Sequence, residues 1–252
     1  MLTGSFCKNK HKFVIYVEKI SKLWYCLNKE RRIETKTNRS TNAAPILNYH
    51  VTTPFESSDS AICAKVRQIA GSWGYSAYVS NLPSARELFN DIPNNRITII
   101  HGHGSAGKFA LKQDNNSTQY LTLDKTTTSN NRSLWDYSEY ELNSNVLILD
   151  NCCQGDRVYS IPGEQSLSRD YYLYAYGGAQ CVIGYKNDVY LSGEWGQYFF
   201  EYSDNNLNIR DAAERATTFF KSQFPDNNSN YPTASNNQTI YGNTQNKIMS
   251  LN

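Results

Sequence analysis

The fold class follows from the segment Arg96-Ile97-Thr98-Ile99-Ile100-His101-Gly102-His103-Gly104 and from the later run Val146-Leu147-Ile148-Leu149. Residues 96–100 are mostly apolar and β-branched, which is typical of a strand, and the continuous apolar run 146–149 is typical of a strand that is buried on both faces. Strands of this kind belong to parallel sheets that carry helices on each side. The two runs therefore predict an α/β fold with a mostly parallel central sheet flanked by helices.

The chain before Arg96 alternates between strand and helix patterns, as a parallel sheet requires. One of these patterns is apolar on a single face, at spacings of three and four residues, and predicts an amphipathic helix. The predicted elements are a strand over 46–52, a helix from caps at 57–60 through Trp73, a strand over 76–80 and a short helix over 83–90.

The chain after Gly104 first departs from this alternation and then returns to it. Residues 108–112 and 119–123 flank a polar turn and predict a β-hairpin insertion, and residues 124–141 are predicted to form a polar loop. Beyond the second apolar run we predict a helix over 164–176, a strand over 180–185, a helix around 193–202 and a last helix, capped by Asn208, with Ala212, Ala216, Phe219 and Phe220 facing inward.

The amino-acid composition limits the classes of protein to which this chain can belong. The 252 residues, of which 13 % are aromatic, are enough to bury a sizeable core. The net charge of +2 supplies no strong field for nucleic acid. The mean hydropathy of −0.62 argues against an integral membrane protein. We therefore expect neither a nucleic-acid partner nor a membrane partner.

The charge distribution and the polar stretches divide the chain into three predicted parts. Residues 1–43 form a basic arm and linker, with ten Lys or Arg and three acidic residues up to position 42, and we interpret them as a solvated, partly helical extension. Residues 44–224 form the domain, and residues 225–252 form an Asn-rich tail in which Gln238–Tyr241 resembles an edge strand. The apolar run Phe13–Val17 is too short for a signal peptide or a membrane span, so we expect a cytoplasmic protein with reduced cysteines.

Both apolar runs end in residues that can carry chemistry. The first continues into His101 and His103, and the second into Asp150, Cys152 and Cys153. Functional groups gather beyond the carboxyl ends of parallel strands. A cysteine attacks a carbonyl as a thiolate, and an imidazole within reach can take the thiol proton and return it to the leaving amine. Taken alone, each cysteine would be an ordinary buried thiol and each histidine an ordinary loop residue. Together, the cysteines and histidines predict nucleophilic cysteine chemistry.

The two strand ends resemble the clan of caspases, metacaspases, separases and CHAT-domain peptidases. Gly102-His103-Gly104-Ser105 resembles the histidine segment of separases and metacaspases, and Leu149-Asp150-Asn151-Cys152-Cys153-Gln154-Gly155 resembles the metacaspase segment that holds the nucleophile. The order of elements is similar over roughly residues 46–222. The resemblance implies a caspase-like fold and a cysteine endopeptidase with a protein or peptide substrate.

The resemblance also implies the roles of individual residues. Cys152 would be the nucleophile and His103 its general base and acid, with the N–H groups of Gly104 and Cys152 binding the oxyanion. Asp150 would line the first specificity pocket and select Arg or Lys, because an ionised carboxylate would be left unpaired by an apolar side chain. The alternative is that Asp150 only hydrogen-bonds its turn. An exchange of roles between His101 and His103 stays open.

This sequence also departs from the family pattern. Cys153 stands where metacaspases have His, Gln154 replaces a small Ser, and Tyr185 replaces a Trp of CHAT domains. These departures leave the subfamily and any calcium dependence undefined, and the sequence indicates no cofactor. Peptidases of this clan are commonly activated by processing, by a ligand or by a protein partner, so an activating partner is a further expectation.

Three other interpretations compete with a peptidase. Residues 102–108 fit a phosphate-binding loop, but Phe109 stands where a Ser or Thr should bind Mg²⁺, and a hairpin strand follows where a helix is needed. A zinc site from His101, His103, Cys152 and Cys153 matches no common ligand spacing, so we expect no metal. The serious alternative is a catalytically inactive caspase-like module that serves as an interaction or regulatory protein.

Overall fold

A six-stranded sheet forms the centre of the protein, for which we analysed a computed structural model. The structure describes residues 44–52, 57–114, 117–124, 128, 131–138, 141–142, 146–148, 153–157, 166–173, 178–226 and 228–250. Residues 44–252 cluster as one unit. The predicted basic arm, residues 1–43, lies outside the described residues.

The strands and helices follow one another along the chain much as the sequence predicts. The strands are β1 (Ile46–Val51), β2 (Ser76–Asn81), β3 (Ile97–His101), β4 (Gly104–Ser105), β5 (Lys108–Asp114), β6 (Ser117–Thr122), β7 (Asn131–Ser133), β8 (Val146–Ile148), β9 (Cys181–Tyr185) and β10 (Gln238–Gly242). The α-helices are α1 (Ser57–Ser72), α2 (Ala85–Asp91), α3 (Leu167–Leu173), α4 (Ser192–Ser203) and α5 (Ile209–Gln223). Short 3-10 helices cover Ile92–Asn94, Leu134–Asp136 and Ile248–Ser250.

The central sheet has the strand order β10-β9-β8-β3-β1-β2. All of its neighbouring pairs are parallel except β10, which runs antiparallel to β9 at one edge. The expected α/β fold with a mostly parallel sheet and flanking helices is therefore confirmed.

Strand β3 lies in the middle of this sheet and carries isoleucine side chains on both of its faces. All five of its residues are buried. Ile97 and Ile99 join a core with α1, α4 and α5, whereas Ile100 joins a second core with α2, α3 and the smaller sheet. Alternation along the strand sends successive side chains to opposite faces, so one short run supplies both cores.

A smaller sheet with the order β4-β5-β6-β7 follows the histidine segment. Strands β5 and β6 pair antiparallel, which confirms the predicted hairpin. The prediction of a polar loop over 124–141 is wrong, because β7 pairs in parallel with β6 and Leu134 is fully buried. Strand β7 is only three residues long and polar, so no periodicity marks it in the sequence.

Capping residues set where two of the helices begin. Ser84 caps α2, which begins at Ala85 within the predicted helix over 83–90, and its capping box with Glu87 satisfies N–H groups at the helix start. Asn208 caps α5 as predicted and accepts a hydrogen bond of 2.8 Å from the N–H of Asp211. The inward stripe of α5 consists of Ala212, Ala216 and Phe220 at a spacing of four residues.

One predicted inward residue of α5 lies elsewhere. Phe219 is 37 % exposed, whereas Phe220 is fully buried. Neighbouring helical residues are about 100° apart around the axis, so the stripe that buries Phe220 turns Phe219 away. The Phe219 ring instead meets the edge of Tyr198 on α4, with ring centroids 4.8 Å apart.

The chain beyond residue 224 packs into the domain instead of trailing from it. The resemblance of Gln238–Tyr241 to an edge strand is confirmed by β10. Further along, Ile248 is buried in the core of α1, α4 and α5, and its carbonyl accepts a hydrogen bond of 2.7 Å from the Tyr75 hydroxyl. Among the helices that the structure describes, none is long and apolar enough to cross a membrane.

Candidate functional site

The two predicted halves of the site follow neighbouring parallel strands. Strands β3 and β8 are paired from Ile97 opposite Val146 to Ile99 opposite Ile148. Their carboxyl ends therefore point to the same edge of the sheet, which is where functional groups gather in open α/β sheets. The histidine segment begins at this edge.

The turn after β3 is held tightly against the end of β1. The N–H of Thr52 donates a hydrogen bond of 2.9 Å to the carbonyl of His101. A Cβ atom at Gly102 would collide with the Thr52 hydroxyl, so a larger residue here would displace the Thr52 side chain. The carbonyl of His103 accepts a hydrogen bond of 2.9 Å from Ala110 on β5. The backbone on both sides of Gly102 is thereby fixed.

The two histidines of this segment differ in their surroundings. His103 is exposed, whereas His101 is buried. The Nδ1 atom of His101 lies 3.3 Å from the Tyr49 hydroxyl, and its Nε2 atom lies 3.5 Å from the Asp59 carboxylate. The ring of His101 is therefore engaged with β1 and α1, while the side chain of His103 is exposed to solvent.

The predicted nucleophile and the predicted specificity residue are not described. Cys152 and Asp150 both lie outside the described residues, which resume with a turn at Cys153. Gly104, the predicted oxyanion donor, is half-buried and pairs with Phe109 of β5. Of the residues predicted for the site, the structure thus describes His103 and Gly104.

Cys153 connects the cysteine segment to the histidine segment. Its thiol is half-buried, and burial raises its pKa above the ordinary value. Hydrogen bonding from the backbone of Val189, Cys153 itself and Gly104 lowers this pKa, while the nearby Asp188 carboxylate raises it further. The residue that follows Cys152 therefore lies against the residue that follows His103.

The turn that contains Cys153 is also fixed to the end of β9. The N–H of Gln154 donates to the carbonyl of Asn187 at 3.0 Å, and its side-chain amide donates to Asp188 at 3.0 Å. Gln154 has a φ of 58°, in the left-handed region that a non-glycine residue adopts at a cost. Three strand ends, those of β3, β8 and β9, thus converge on this edge of the sheet.

Two acidic residues at this edge were missed by the sequence reasoning. Asp188 follows the buried strand β9, so the rule that functional groups follow strand ends would have found it. Asp156 is buried and accepts hydrogen bonds from three hydroxyl groups. Two of these hydroxyls are on β10, more than 80 residues away, so no local pattern identifies this residue.

The structure tests one of the alternative interpretations, the phosphate-binding loop, whereas the zinc interpretation includes Cys152, which lies outside the described residues. Lys108 begins strand β5, so the helix that a phosphate-binding loop needs is not there, and that interpretation is wrong. Within the described residues, no group of three or more His, Cys, Asp and Glu side chains is placed to hold a metal ion.

Comparison with known proteins assigns no family to the chain. No family model matches the sequence, and no curated protein matches it significantly. The interpretation of the site therefore depends on the geometry above and on the motifs at the two strand ends.

Proposed function

We propose that the protein is a cysteine endopeptidase of caspase-like fold that uses Cys152 and His103 and cleaves after Arg or Lys. The parallel pairing of β3 with β8 is the observation that carries this proposal. It supports a close approach of the two strand ends, and His103, just beyond β3, is exposed to an incoming peptide. The hairpin insertion directly after the histidine segment supports the caspase-like topology.

The proposed reaction is an acyl transfer to sulfur. His103 takes the proton of the Cys152 thiol, and the thiolate attacks the carbonyl carbon of the scissile peptide bond. The N–H groups of Gly104 and Cys152 donate to the oxyanion that develops, and His103 returns the proton to the leaving amine. The C–N bond breaks, an acyl thioester remains on Cys152, and water then hydrolyses this thioester.

The preference for basic residues is proposed from charge. Asp150, two residues before the nucleophile, would place a carboxylate in the first specificity pocket. Asp188 adds a second carboxylate near Cys153, on the turn after β9. A cationic side chain pairs with such charges, whereas an apolar one would leave them desolvated.

Peptide-library cleavage by purified variants tests this function. We expect Cys152→Ala and His103→Ala each to abolish cleavage after Arg and Lys, because each removes one member of the proton-transfer pair. We expect Asp150→Ala to lose the basic preference. Cys153→Ser is the matched control, since it changes the neighbouring thiol, and it should retain cleavage.

Two results would contradict the proposal. Undiminished cleavage by Cys152→Ala would show that this thiol is not the nucleophile. A native protein that cleaves no peptide, with and without calcium, would favour the inactive caspase-like module instead.

A further inference from the structure

A buried carboxylate fastens the turn that follows the proposed nucleophile. Asp156 is 4 % exposed and belongs to the described turn that begins at Cys153. One carboxylate oxygen accepts hydrogen bonds of 2.8 Å from the hydroxyls of Ser166 and Tyr241. The other accepts a hydrogen bond of 2.6 Å from the hydroxyl of Thr239. We call these four residues the Asp156 cluster.

The side chain and the backbone of Asp156 together join its turn to three elements of the fold, namely β10, α3 and β9. Thr239 and Tyr241 belong to β10, and Ser166 directly precedes α3, where its hydroxyl accepts the N–H of Arg169 at 3.2 Å. The N–H of Asp156 itself donates to the carbonyl of Tyr185 at the end of β9, at 2.8 Å. The turn is thereby anchored from several directions at once.

Stability alone is a poor explanation for this arrangement. Burying a charge costs free energy, and replacing a buried ionic group by packed apolar residues is often neutral or stabilising. Among the described residues, no cation forms an ion pair with Asp156; hydroxyl groups alone satisfy its charge. Hydrogen bonds to a charged acceptor are strong and directional, so they fix the position of the group that accepts them.

We propose that Asp156 is a positioning residue that holds the cysteine turn against Gly104 and the end of β9. This inference rests on the proposed function in one respect, namely that the turn presents Cys152 to His103. Asp156 does not touch the substrate. It acts through the placement of the turn, and a displacement of about 1 Å at a reacting group can cost about a hundredfold in rate.

Asp156→Asn tests the proposal because it keeps the shape and removes the charge. An amide has a single acceptor oxygen, so one side of the cluster loses its acceptor. We expect the turn to loosen and Cys153 to be alkylated by iodoacetamide about tenfold faster than in the native protein. In the same variant we expect kcat for an Arg peptide to fall about tenfold, with KM changed less than about threefold.

Three further variants separate positioning from general destabilisation. Asp156→Glu keeps the charge and should retain more of kcat than Asp156→Asn. Tyr241→Phe should weaken the turn in the native background but add little to Asp156→Asn, because the two residues share one contact. Asn208→Ala removes the cap of α5, far from this turn in the chain, and should leave both the Cys153 alkylation rate and kcat unchanged.

The alkylation rate of Cys153 tests the positioning of the turn, and peptide cleavage tests the proposed function, so either prediction can be wrong without the other. If Cys153 in Asp156→Asn is alkylated within about twofold of the native rate, the turn does not depend on the carboxylate and the inference is wrong. Faster alkylation with unchanged kcat would also overturn it. If the native protein cleaves no peptide, the proposed function fails, and the alkylation rate alone then decides whether Asp156 positions the turn.

Discussion

His50 is a fully buried histidine near the end of β1. Among the described residues, none forms a hydrogen bond with either of its ring nitrogens. In the sheet it lies beside Ser80 of β2 and Ile100 of β3. Burial disfavours the charged imidazolium and lowers the pKa of His50 from 6.5 to about 4. The folded protein therefore holds this residue as a neutral ring.

The depressed pKa of His50 predicts acid sensitivity. Between the folded pKa of about 4 and the unfolded value of 6.5, the unfolded chain binds more protons. The stabilisation is therefore complete above the unfolded pKa and is lost as the pH falls toward the folded one. From pH 7 to pH 5 the loss should be about 2 kcal/mol.

Denaturant unfolding at several pH values measures this effect. In His50→Leu, the free energy of unfolding should fall by about 2 kcal/mol less than in the native protein over the same interval. Thr98→Val is the control, because it alters a buried, non-titrating residue of the same sheet. It should shift stability at every pH without changing the slope, and an equal slope in His50→Leu would exclude His50 as the cause.

Among the helices, α5 allows a test of how much a capping hydrogen bond stabilises the start of a helix. The Asn208 side chain satisfies one N–H of the first turn, and deleting such a cap typically costs about 1 kcal/mol. We expect Asn208→Ala to lower the free energy of unfolding by this amount, and Asn208→Ser to retain most of it. Equilibrium unfolding in urea measures both.

A nearby asparagine supplies the comparison for this cap. Asn205 is exposed and its side chain donates to the carbonyl of Glu201, a bond that water can replace. Asn205→Ala should therefore change stability by less than about 0.5 kcal/mol. If it costs as much as Asn208→Ala, the capping hydrogen bond is not what stabilises the start of α5.

The elements differ in how well the sequence predicts them, and the difference has a physical cause. Strand β3 and the inward stripe of α5 were predictable because their apolar side chains repeat with the period of the element. Strand β7 was not, because three polar residues become a strand only when β6 lies beside them. The sequence predicts that Phe219 faces the core, but it does not show how wide the buried stripe of α5 is, and Phe219 lies outside that stripe.

For the complete fold, the sheet topology could be predicted from the sequence, whereas the tertiary contacts around the candidate site could not. The meeting of the histidine and cysteine segments follows from two parallel strands that end at one edge. The contacts of His101 with Tyr49, and of Asp156 with Thr239, join residues 52 and 83 positions apart. Such contacts depend on the packed fold, and no residue spacing in the sequence predicts them.

The proposed function requires that His103 activates Cys152, and competitive alkylation of the native protein measures this activation. Cys63 and Cys181 are buried, and burial raises the pKa of Cys181 to about 12, so these thiols serve as internal references. With limiting iodoacetamide and mass-spectrometric mapping, Cys152 should be modified about tenfold faster than Cys63, Cys153 and Cys181, and His103→Ala should remove this advantage. Equal labelling of Cys152 and Cys153 in the native protein, or a Cys152 rate that His103→Ala leaves unchanged, would contradict the account.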